Sequence, residues 1–322
     1  AVVVGGGLLG LEAAYGIAMH GIKTILVHRS GSILSQQLDS TGGKLLQKNL
    51  EKYGIEFKLN TTIKEISGDG IVEKVEFTDG VCVESNLVVF ATGIIPNTAL
   101  AIDAQLDTKK GIIVDDFLKT SDDSIFAIGE CVEHNGNTYG LVAPLYEQAK
   151  VLAKKLANVT TPGYEGSTLS TRLKISGVDL FSAGDYLGDE TTENLILLDE
   201  KVGIYKKLVI YDNKIIGMVL YGDTADASWY LKLLKEHTDI SDLRTKILFG
   251  KSALSGDSGH GGNDINSMSD DEEVCGCNGI CKGDIVTAIK EKDLKSLSDV
   301  KSCTKAGASC GSCLGLVEQI LV

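Results

Sequence analysis

The sequence Ala1-Val2-Val3-Val4-Gly5-Gly6-Gly7-Leu8-Leu9-Gly10 opens the chain with an apolar strand pattern followed directly by G-x-G-x-x-G. A helical pattern then runs to His20, and Gly21 is placed to end it. In such a unit Gly5 makes the tight turn, Gly7 lets the backbone approach a pyrophosphate, and Gly10 lets the helix pack closely on the strand. Free N–H groups of the first helical turn, at Leu8 and Leu9, bind the phosphates. The stretch predicts a Rossmann-like dinucleotide site; the alternative is a glycine turn without a ligand.

A second predicted strand, residues 23–28, ends where a ribose-reading residue is expected. His28 and Arg29 stand there, whereas an NAD-specific site usually has Asp or Glu. A basic pair can accommodate a 2′-phosphate, which favours NADPH. The alternative is that both side chains lie on a solvated loop and do not discriminate between the two cofactors. The preference between NADH and NADPH therefore stays open.

The rest of the chain predicts alternating helices and strands, with turns at Gly68-Asp69-Gly70, Asp79-Gly80 and Asp212-Asn213. Thr224 and Ser241 are placed to cap two late helices. The predicted helices are residues 38–53, 145–157, 225–236 and 242–249, and the predicted strands are 55–59, 62–66, 72–77, 81–84, 87–91 (buried), 111–115, 125–128, 169–175, 178–183, 194–198, 204–211 and 214–220.

Six of the eight cysteines lie between Cys275 and Cys313, and four of them form a C-x-C pair and a C-x-x-C pair. Four thiolates at one point suit an iron–sulfur cluster or zinc. A disulfide set is disfavoured because C-x-C closes a small, strained ring. Zinc ribbons separate their pairs by about 15–20 residues, whereas 32 residues separate Cys277 from Cys310. The spacing favours iron–sulfur over zinc. Short helices are predicted near residues 284–290, 297–305 and 314–322, and Cys281 and Cys303 are expected to act as small hydrophobic residues.

Composition limits the partners and the location. The net charge of −13 and the pI near 4.9 argue against nucleic acid or an anionic membrane as a partner. No apolar run is long enough for a membrane span. Clustered thiols without an export signal indicate the cytoplasm. Residues 251–273 are rich in Ser, Gly and Asp and predict a flexible linker, with a root-mean-square span of roughly 25 Å.

The first half of the chain resembles the pyridine-nucleotide flavoprotein reductases. The resemblance lies in G-G-G-x-x-G-x-E, which includes Glu12, in A-T-G-x-x-P-N from Ala91, and in the segment ending Gly129-Glu130. It implies FAD and NAD(P)H as cofactors and a nicotinamide domain inserted between two halves of an FAD domain. The first FAD half would then lie upstream of residue 1. Besides the glycine turn, the resemblance assigns cofactor contacts to Thr92, Gly93, Gly129, Glu130, Pro144 and Leu145.

The last fifty residues resemble the [2Fe-2S] domain of the bacterioferritin-associated ferredoxin family. The match includes the two cysteine pairs, Asn278-Gly279 and Ala306-Gly307. It implies that Cys275, Cys277, Cys310 and Cys313 hold a [2Fe-2S] cluster.

The whole chain is similar to the family of NAD(P)H nitrite reductase large subunits, through segments such as residues 139–149 and 177–185. The resemblance implies electron flow from NAD(P)H through FAD to the cluster, with no catalytic side chain in this part. It also implies a downstream sirohaem domain or a separate reductase subunit, and it is compatible with a homodimer. The alternatives are the electron-transfer subunit of assimilatory nitrate reductase, and a metal-sensing or interaction module on a degenerate Rossmann scaffold.

The predicted fold is therefore α/β, with Rossmann-like flavoprotein domains followed by a small α+β domain and a small helical [2Fe-2S] domain. The expected boundaries are 1–95 for the NAD(P)H domain, 96–164 for the C-terminal FAD half, 165–250 for the α+β domain, 251–273 for the linker and 274–322 for the cluster domain.

Overall fold

The structure, a computed structural model, describes residues 1–175, 177–255, 268–275, 278–308, 311 and 313–321. Its strands are β1 Val2–Val4, β2 Thr24–His28, β3 Ile55–Leu59, β4 Ile63–Ser67, β5 Lys74–Phe77, β6 Cys82–Glu84, β7 Val88–Phe90, β8 Ile112–Val114, β9 Val132–His134, β10 Asn137–Thr138, β11 Ser170–Ile175, β12 Val178–Gly184, β13 Glu193–Asp199, β14 Ile204–Tyr211, β15 Lys214–Tyr221, β16 Glu273–Cys275 and β17 Ile280–Cys281. Its α-helices are α1 Leu8–Met19, α2 Ser40–Glu51, α3 Ala99–Asp103, α4 Val142–Leu156, α5 Ala227–Lys235, α6 Ser252–Ser255, α7 Lys282–Lys292, α8 Leu297–Thr304 and α9 Leu314–Leu321.

These elements form two compact units. One contains Ala1–Gly93 and Ser170–Gly261, and the other contains Ile94–Leu169 and Gly262–Val322.

A parallel sheet with the order β3-β2-β1-β7 forms the centre of the first unit. Val3 pairs with Leu26 on one side and with Val89 on the other. The connection from β1 through α1 to β2 makes the βαβ unit that the glycine pattern predicts. Leu11 on α1 and Leu46 on α2 are fully buried against one face of this sheet.

The opposite face of the parallel sheet is covered by the antiparallel sheet β4-β5-β6. Val75 and Phe77 on β5 are fully buried there against Val2 and Val27. The predicted buried strand at 87–91 is only partly correct, because β7 is an edge strand of the four-stranded sheet and Phe90 is 61% exposed.

A five-stranded antiparallel sheet, β11-β12-β15-β14-β13, completes the first unit. One of its faces sends Leu180, Tyr205 and Val219 into the core that contains Val3 and Leu11. The other face packs Leu208 and Leu220 against α5. The hairpin turn predicted at Asp212-Asn213 is confirmed, since both residues have positive φ, 48° and 54°.

Two helix predictions in this region are wrong in part. Residues 242–249 form turns and one 3₁₀ turn, Ile247–Phe249, with hydrogen bonds of the i→i+3 type such as Lys246 N–H to the Leu243 carbonyl. Thr224 does not cap α5. Asp226 occupies that position, and its carboxylate accepts from the Lys251 N–H instead of capping the helix.

In the second unit, β8 runs parallel to β9, and β9 pairs antiparallel with β10. Residues 125–128 were predicted as a strand, which is wrong: Phe126 makes only an isolated bridge with Lys119, and the strand begins later, at Val132. Helix α4 begins at Val142, three residues earlier than predicted, so Pro144 and Leu145 lie in its first turn.

The cysteine-rich segment of the second unit combines the small sheet β16-β17 with helices α7, α8 and α9. Ile285, Val300 and Val317, one from each helix, are fully buried in its core. Met268 packs on this core, and the Lys282 N–H donates to the Glu272 carbonyl. The last residues of the predicted linker therefore contact the cluster module. Among the described helices, none is both long and apolar enough to span a membrane.

Candidate functional site

The turn between β1 and α1 has the tight geometry that its glycines predict. Gly5 has φ +120°, and a Cβ there would lie 2.1 Å from the Ala91 carbonyl oxygen. A Cβ on Gly10 would lie 1.9 Å from the Gly5 carbonyl oxygen, so helix and turn meet backbone to backbone. Gly5 N–H donates to the Val27 carbonyl, which fixes the turn at the end of the sheet.

The space in front of this turn fits a phosphate group. A Cβ on Gly7 would meet nothing within 4 Å, and no side chain caps the N-terminus of α1. Leu11 N–H is the first to bond within the helix, to the Gly7 carbonyl. The N–H groups of Leu8, Leu9 and Gly10 therefore precede the helical ladder and suit an anion.

His28 and Arg29, which the sequence treats as a pair, occupy different positions. His28 Nδ1 accepts the Gly6 N–H at 3.1 Å, which leaves the proton of the neutral ring on Nε2. Burial, aided by the charge of Arg29, lowers the pKa of His28. Arg29 is exposed beyond the strand end, as is Glu12 on the outer side of α1. The structure thus orients His28 toward the glycine turn and leaves Arg29 as the exposed cation.

Besides the glycine turn, the predicted cofactor contacts include Thr92 and Gly93 in the first unit and Gly129 and Glu130 in the second. Thr92 and Gly93 are exposed after β7, with Gly93 at φ +99°. Gly129 has φ +107°, and its N–H donates to Oε1 of the fully buried Gln148 on α4 at 2.9 Å. This bond anchors the turn that presents the exposed carboxylate of Glu130.

The N-terminus of α4 is suited to an acceptor atom of a cofactor. Leu141 precedes the helix in an extended conformation, and no side chain caps it. Pro144 has no N–H and is tolerated in the first turn, so the free donors there are the N–H groups of Val142 and Ala143. The sequence does not reveal Gln148, because a glutamine inside a helix carries no spacing signal.

Two of the four predicted cluster ligands are described, and they lie together. Cys275 ends β16, Cys313 precedes α9, and both are buried. The hydrogen bond with Cys313, against the opposing effect of burial, lowers the pKa of the Cys275 thiol to about 5, and the Gly307 N–H acts in the same direction. A thiolate at neutral pH is the form that ligates iron. Cys277 and Cys310 lie outside the described residues.

Cys281 has a different role from the predicted hydrophobic one. It stands at the N-cap of α7, where its N–H donates to Asp284 at 3.0 Å in a capping box. Cys303 lies on α8, and Nζ of Lys292, the last residue of α7, is 3.2 Å from its sulfur.

Three families match consecutive parts of the chain. Residues 1–153 match pyridine nucleotide-disulphide oxidoreductases, and residues 170–238 match the rubredoxin NAD+ reductase C-terminal domain. Residues 273–322 match the BFD-like [2Fe-2S] binding domain. The chain therefore joins a pyridine nucleotide-disulphide oxidoreductase domain to a BFD-like [2Fe-2S] domain.

Two curated relatives align over the whole chain. It is 48% identical over 322 residues to a nitrite reductase [NAD(P)H] of Bacillus subtilis, covering 100% of this chain and 39% of the relative. It is 42% identical over 321 residues to the assimilatory nitrate reductase electron transfer subunit of Bacillus subtilis, covering 100% and 41%. The chain thus spans about two fifths of the length of these relatives.

The fold also matches a solved structure. A FAD-dependent pyridine nucleotide-disulphide oxidoreductase from Desulfovibrio vulgaris superposes with a TM-score of 0.66 at 26% identity, over 79% of this chain and 69% of that one. Together the comparisons confirm the predicted fold class and the cofactor set of FAD, NAD(P)H and a [2Fe-2S] cluster. The assignment of individual cofactor contacts stays a prediction.

Proposed function

We propose that the chain is the part of a nitrite reductase large subunit that moves electrons from NAD(P)H through FAD to a [2Fe-2S] cluster. The observation that carries this proposal is the alignment at 48% identity over the full 322 residues, which includes both the glycine turn and the cysteine module. The geometry supports it, because an open phosphate-binding turn and a pair of buried cysteines occur on one polypeptide.

The order of the sites has a chemical reason. NAD(P)H delivers two electrons as a hydride, whereas a [2Fe-2S] cluster accepts one electron at a time. Bound flavin supplies the conversion, since it takes up the pair and releases single electrons. In this scheme the chain's own residues bind and orient: the α1 N-terminus holds the dinucleotide, Gln148 fixes the turn of Glu130, and the cysteines hold the cluster.

The electron-transfer subunit of assimilatory nitrate reductase is the second candidate, because that relative also aligns over the whole chain, at 42% identity. The higher identity to nitrite reductase favours the first. In either case the relatives are much longer than this chain. We therefore include in the proposal a preceding FAD half, together with a sirohaem-containing portion or a separate reductase subunit. A cytoplasmic location belongs to the same proposal, because cluster ligands must stay reduced.

The experiment compares this chain with a longer polypeptide that also carries the preceding FAD half. Both are reconstituted anaerobically with iron and sulfide, and the visible absorbance of the cluster is followed after NADH or NADPH is added. The chain alone should retain little FAD, and its cluster should bleach with dithionite but not with NAD(P)H. The longer, FAD-loaded polypeptide should bleach with NAD(P)H and form no ammonia from nitrite.

A Cys313→Ser form of the longer polypeptide is the matched control: its FAD should still be reduced by NAD(P)H, without any cluster signal. Bleaching of the flavin-free chain by NAD(P)H would contradict the flavin route. An FAD-loaded polypeptide with an intact cluster that does not bleach would contradict the proposed function itself.

A further inference from the structure

Asn278 lies in the turn between β16 and β17, half-buried beside Cys275. Its Nδ2 atom is 3.6 Å from Cys275 Sγ and 2.7 Å from the Lys305 carbonyl oxygen. An amide NH₂ group has two protons to donate. One nitrogen therefore serves two acceptors, a ligand sulfur and a backbone carbonyl.

The second acceptor ends helix α8. Lys305 is the C-cap of that helix, with φ +67°, and Ala306 and Gly307 follow it. Ala306 is fully buried, and the Gly307 N–H also donates to Cys275 Sγ. Gly307 has φ +73°, and a Cβ there would lie 2.4 Å from Leu314 at the start of α9. Asn278 thus ties the Cys275 turn to the backbone segment that donates to the same sulfur.

We propose that Asn278 is a positioning residue that raises the reduction potential of the cluster held at Cys275, by donating an amide proton to the Sγ atom. Reduction adds negative charge to the cluster and its thiolates, and a hydrogen bond to sulfur stabilises the reduced form more than the oxidised form. The inference rests on the cluster part of the proposed function and needs neither NAD(P)H oxidation nor nitrite reduction. The contrasting role is a purely structural one, in which only the bond to Lys305 matters.

The test measures the midpoint potential of the full chain, reconstituted with iron and sulfide, in a redox titration followed by electron paramagnetic resonance. Asn278→Ala removes both donations of the side chain and keeps the backbone N–H of residue 278. Asn278→Asp keeps the size of the side chain and replaces the donor by a negative charge. Gln319→Ala is the matched control, since it removes an exposed amide from α9 in the same module. Iron and labile sulfide per chain are determined for each variant.

Both Asn278 variants should bind iron and sulfide and show a more negative midpoint potential than the unsubstituted chain, with the larger shift for Asp. Gln319→Ala should leave the potential unchanged. The Fe–S(Cys) stretching bands in resonance Raman spectra should shift on transfer to D₂O less in Asn278→Ala than in the unsubstituted chain.

Two results would overturn the proposal. One is cluster-loaded Asn278 variants with an unchanged potential. The other is loss of the cluster from both variants while circular dichroism shows the helices intact. That result would mean that Asn278 acts only through its structural bond to the Lys305 carbonyl. Because dithionite serves as the reductant, an unchanged midpoint potential in the Asn278 variants can be distinguished from a failure of NAD(P)H to reduce the cluster.

Discussion

At the scale of single residues, the glycine turn shows how far a spacing pattern can be translated into geometry. Gly10 and Gly16 lie on the same helix, α1, in opposite circumstances. A Cβ on Gly10 would lie 1.9 Å from the Gly5 carbonyl oxygen, whereas a Cβ on Gly16 would meet nothing within 4 Å. The two positions therefore form a matched pair for substitution.

Gly10→Ala should force α1 away from the turn and destabilise the chain by roughly 1–3 kcal/mol, the usual cost of overpacking. Gly16→Ala should stabilise it by about 0.5–1 kcal/mol, because alanine loses less backbone entropy in a helix. Denaturant unfolding measures both, and NAD(P)H titration should show weaker binding only for Gly10→Ala. Equal stability of the two variants would mean that the close approach at Gly10 can relax.

The sequence predicts the roles of Gly5, Gly7 and Gly10 because each depends on backbone within a few residues of the turn. It does not predict the bond from Gly6 N–H to His28, since that depends on how β2 lies beside β1. Asn278 is a similar case: its partners are a nearby cysteine and the distant Lys305, and only folding brings the latter close.

At the scale of elements, the N-terminus of α2 joins the nucleotide-binding sheet to the five-stranded sheet. Asp39 Oδ1 accepts the Gly42 N–H at 3.0 Å as a helix cap. Its other oxygen accepts the Tyr205 hydroxyl at 2.6 Å and lies 3.5 Å from Lys207 Nζ. The Lys207 side chain is only 7% exposed, and its Nζ also donates to the Leu187 carbonyl at 3.1 Å, so Asp39 is the opposite charge that offsets the burial of this ammonium group.

Asp39→Ala should destabilise the first unit by about 3–5 kcal/mol, because it removes the carboxylate that balances the buried charge of Lys207 and leaves only the Leu187 carbonyl as acceptor. Asp39→Asn keeps a capping oxygen but removes the charge, and it should cost nearly as much. The loss of a helix cap alone is worth only ~1 kcal/mol. Urea unfolding of both variants distinguishes the two contributions: a nearly native Asn variant would show that Asp39 acts only as a cap.

The strands from β11 to β15 follow their predicted ranges within about a residue, since turn residues such as Gly177 and Asp212-Asn213 separate the apolar runs there. The wrong predictions have local physical causes. Residues 125–128 are apolar enough for a strand, but Thr120 binds the Ile125 carbonyl through both its N–H and its hydroxyl, which closes a turn. After Ser241, mainly i→i+3 bonds replace the expected helix, although the Ile247 N–H bonds the Leu243 carbonyl four residues back, and Ile247 stays buried.

At the scale of the whole molecule, buried tyrosines make the stability of the folded chain depend on pH. Burial raises the pKa values of Tyr164, Tyr205 and Tyr230, and it raises the pKa of Tyr221 to about 12. These phenols lie in both compact units. A buried tyrosine holds its proton in the folded chain at a pH where the unfolded chain, with a pKa near 10, has released it.

The raised pKa of Tyr221 determines whether the free energy of unfolding rises or falls with pH. Between about pH 10 and pH 12 the folded chain binds more protons at Tyr221 than the unfolded chain does, so the free energy of unfolding falls as pH rises, by up to about 1.4 kcal/mol per pH unit. Below pH 10 this contribution is fully present. Tyr221→Phe should therefore make the decline of stability less steep above pH 10, while Tyr211→Phe, at a position 55% exposed, should not. Lysines also titrate above pH 10, and both variants keep all of them. A difference between the two variants in the slope of the unfolding free energy against pH therefore comes from the substituted tyrosine. Urea unfolding at several pH values from 8 to 11 measures the slopes, and equal slopes would mean that Tyr221 ionises in the folded chain near pH 10.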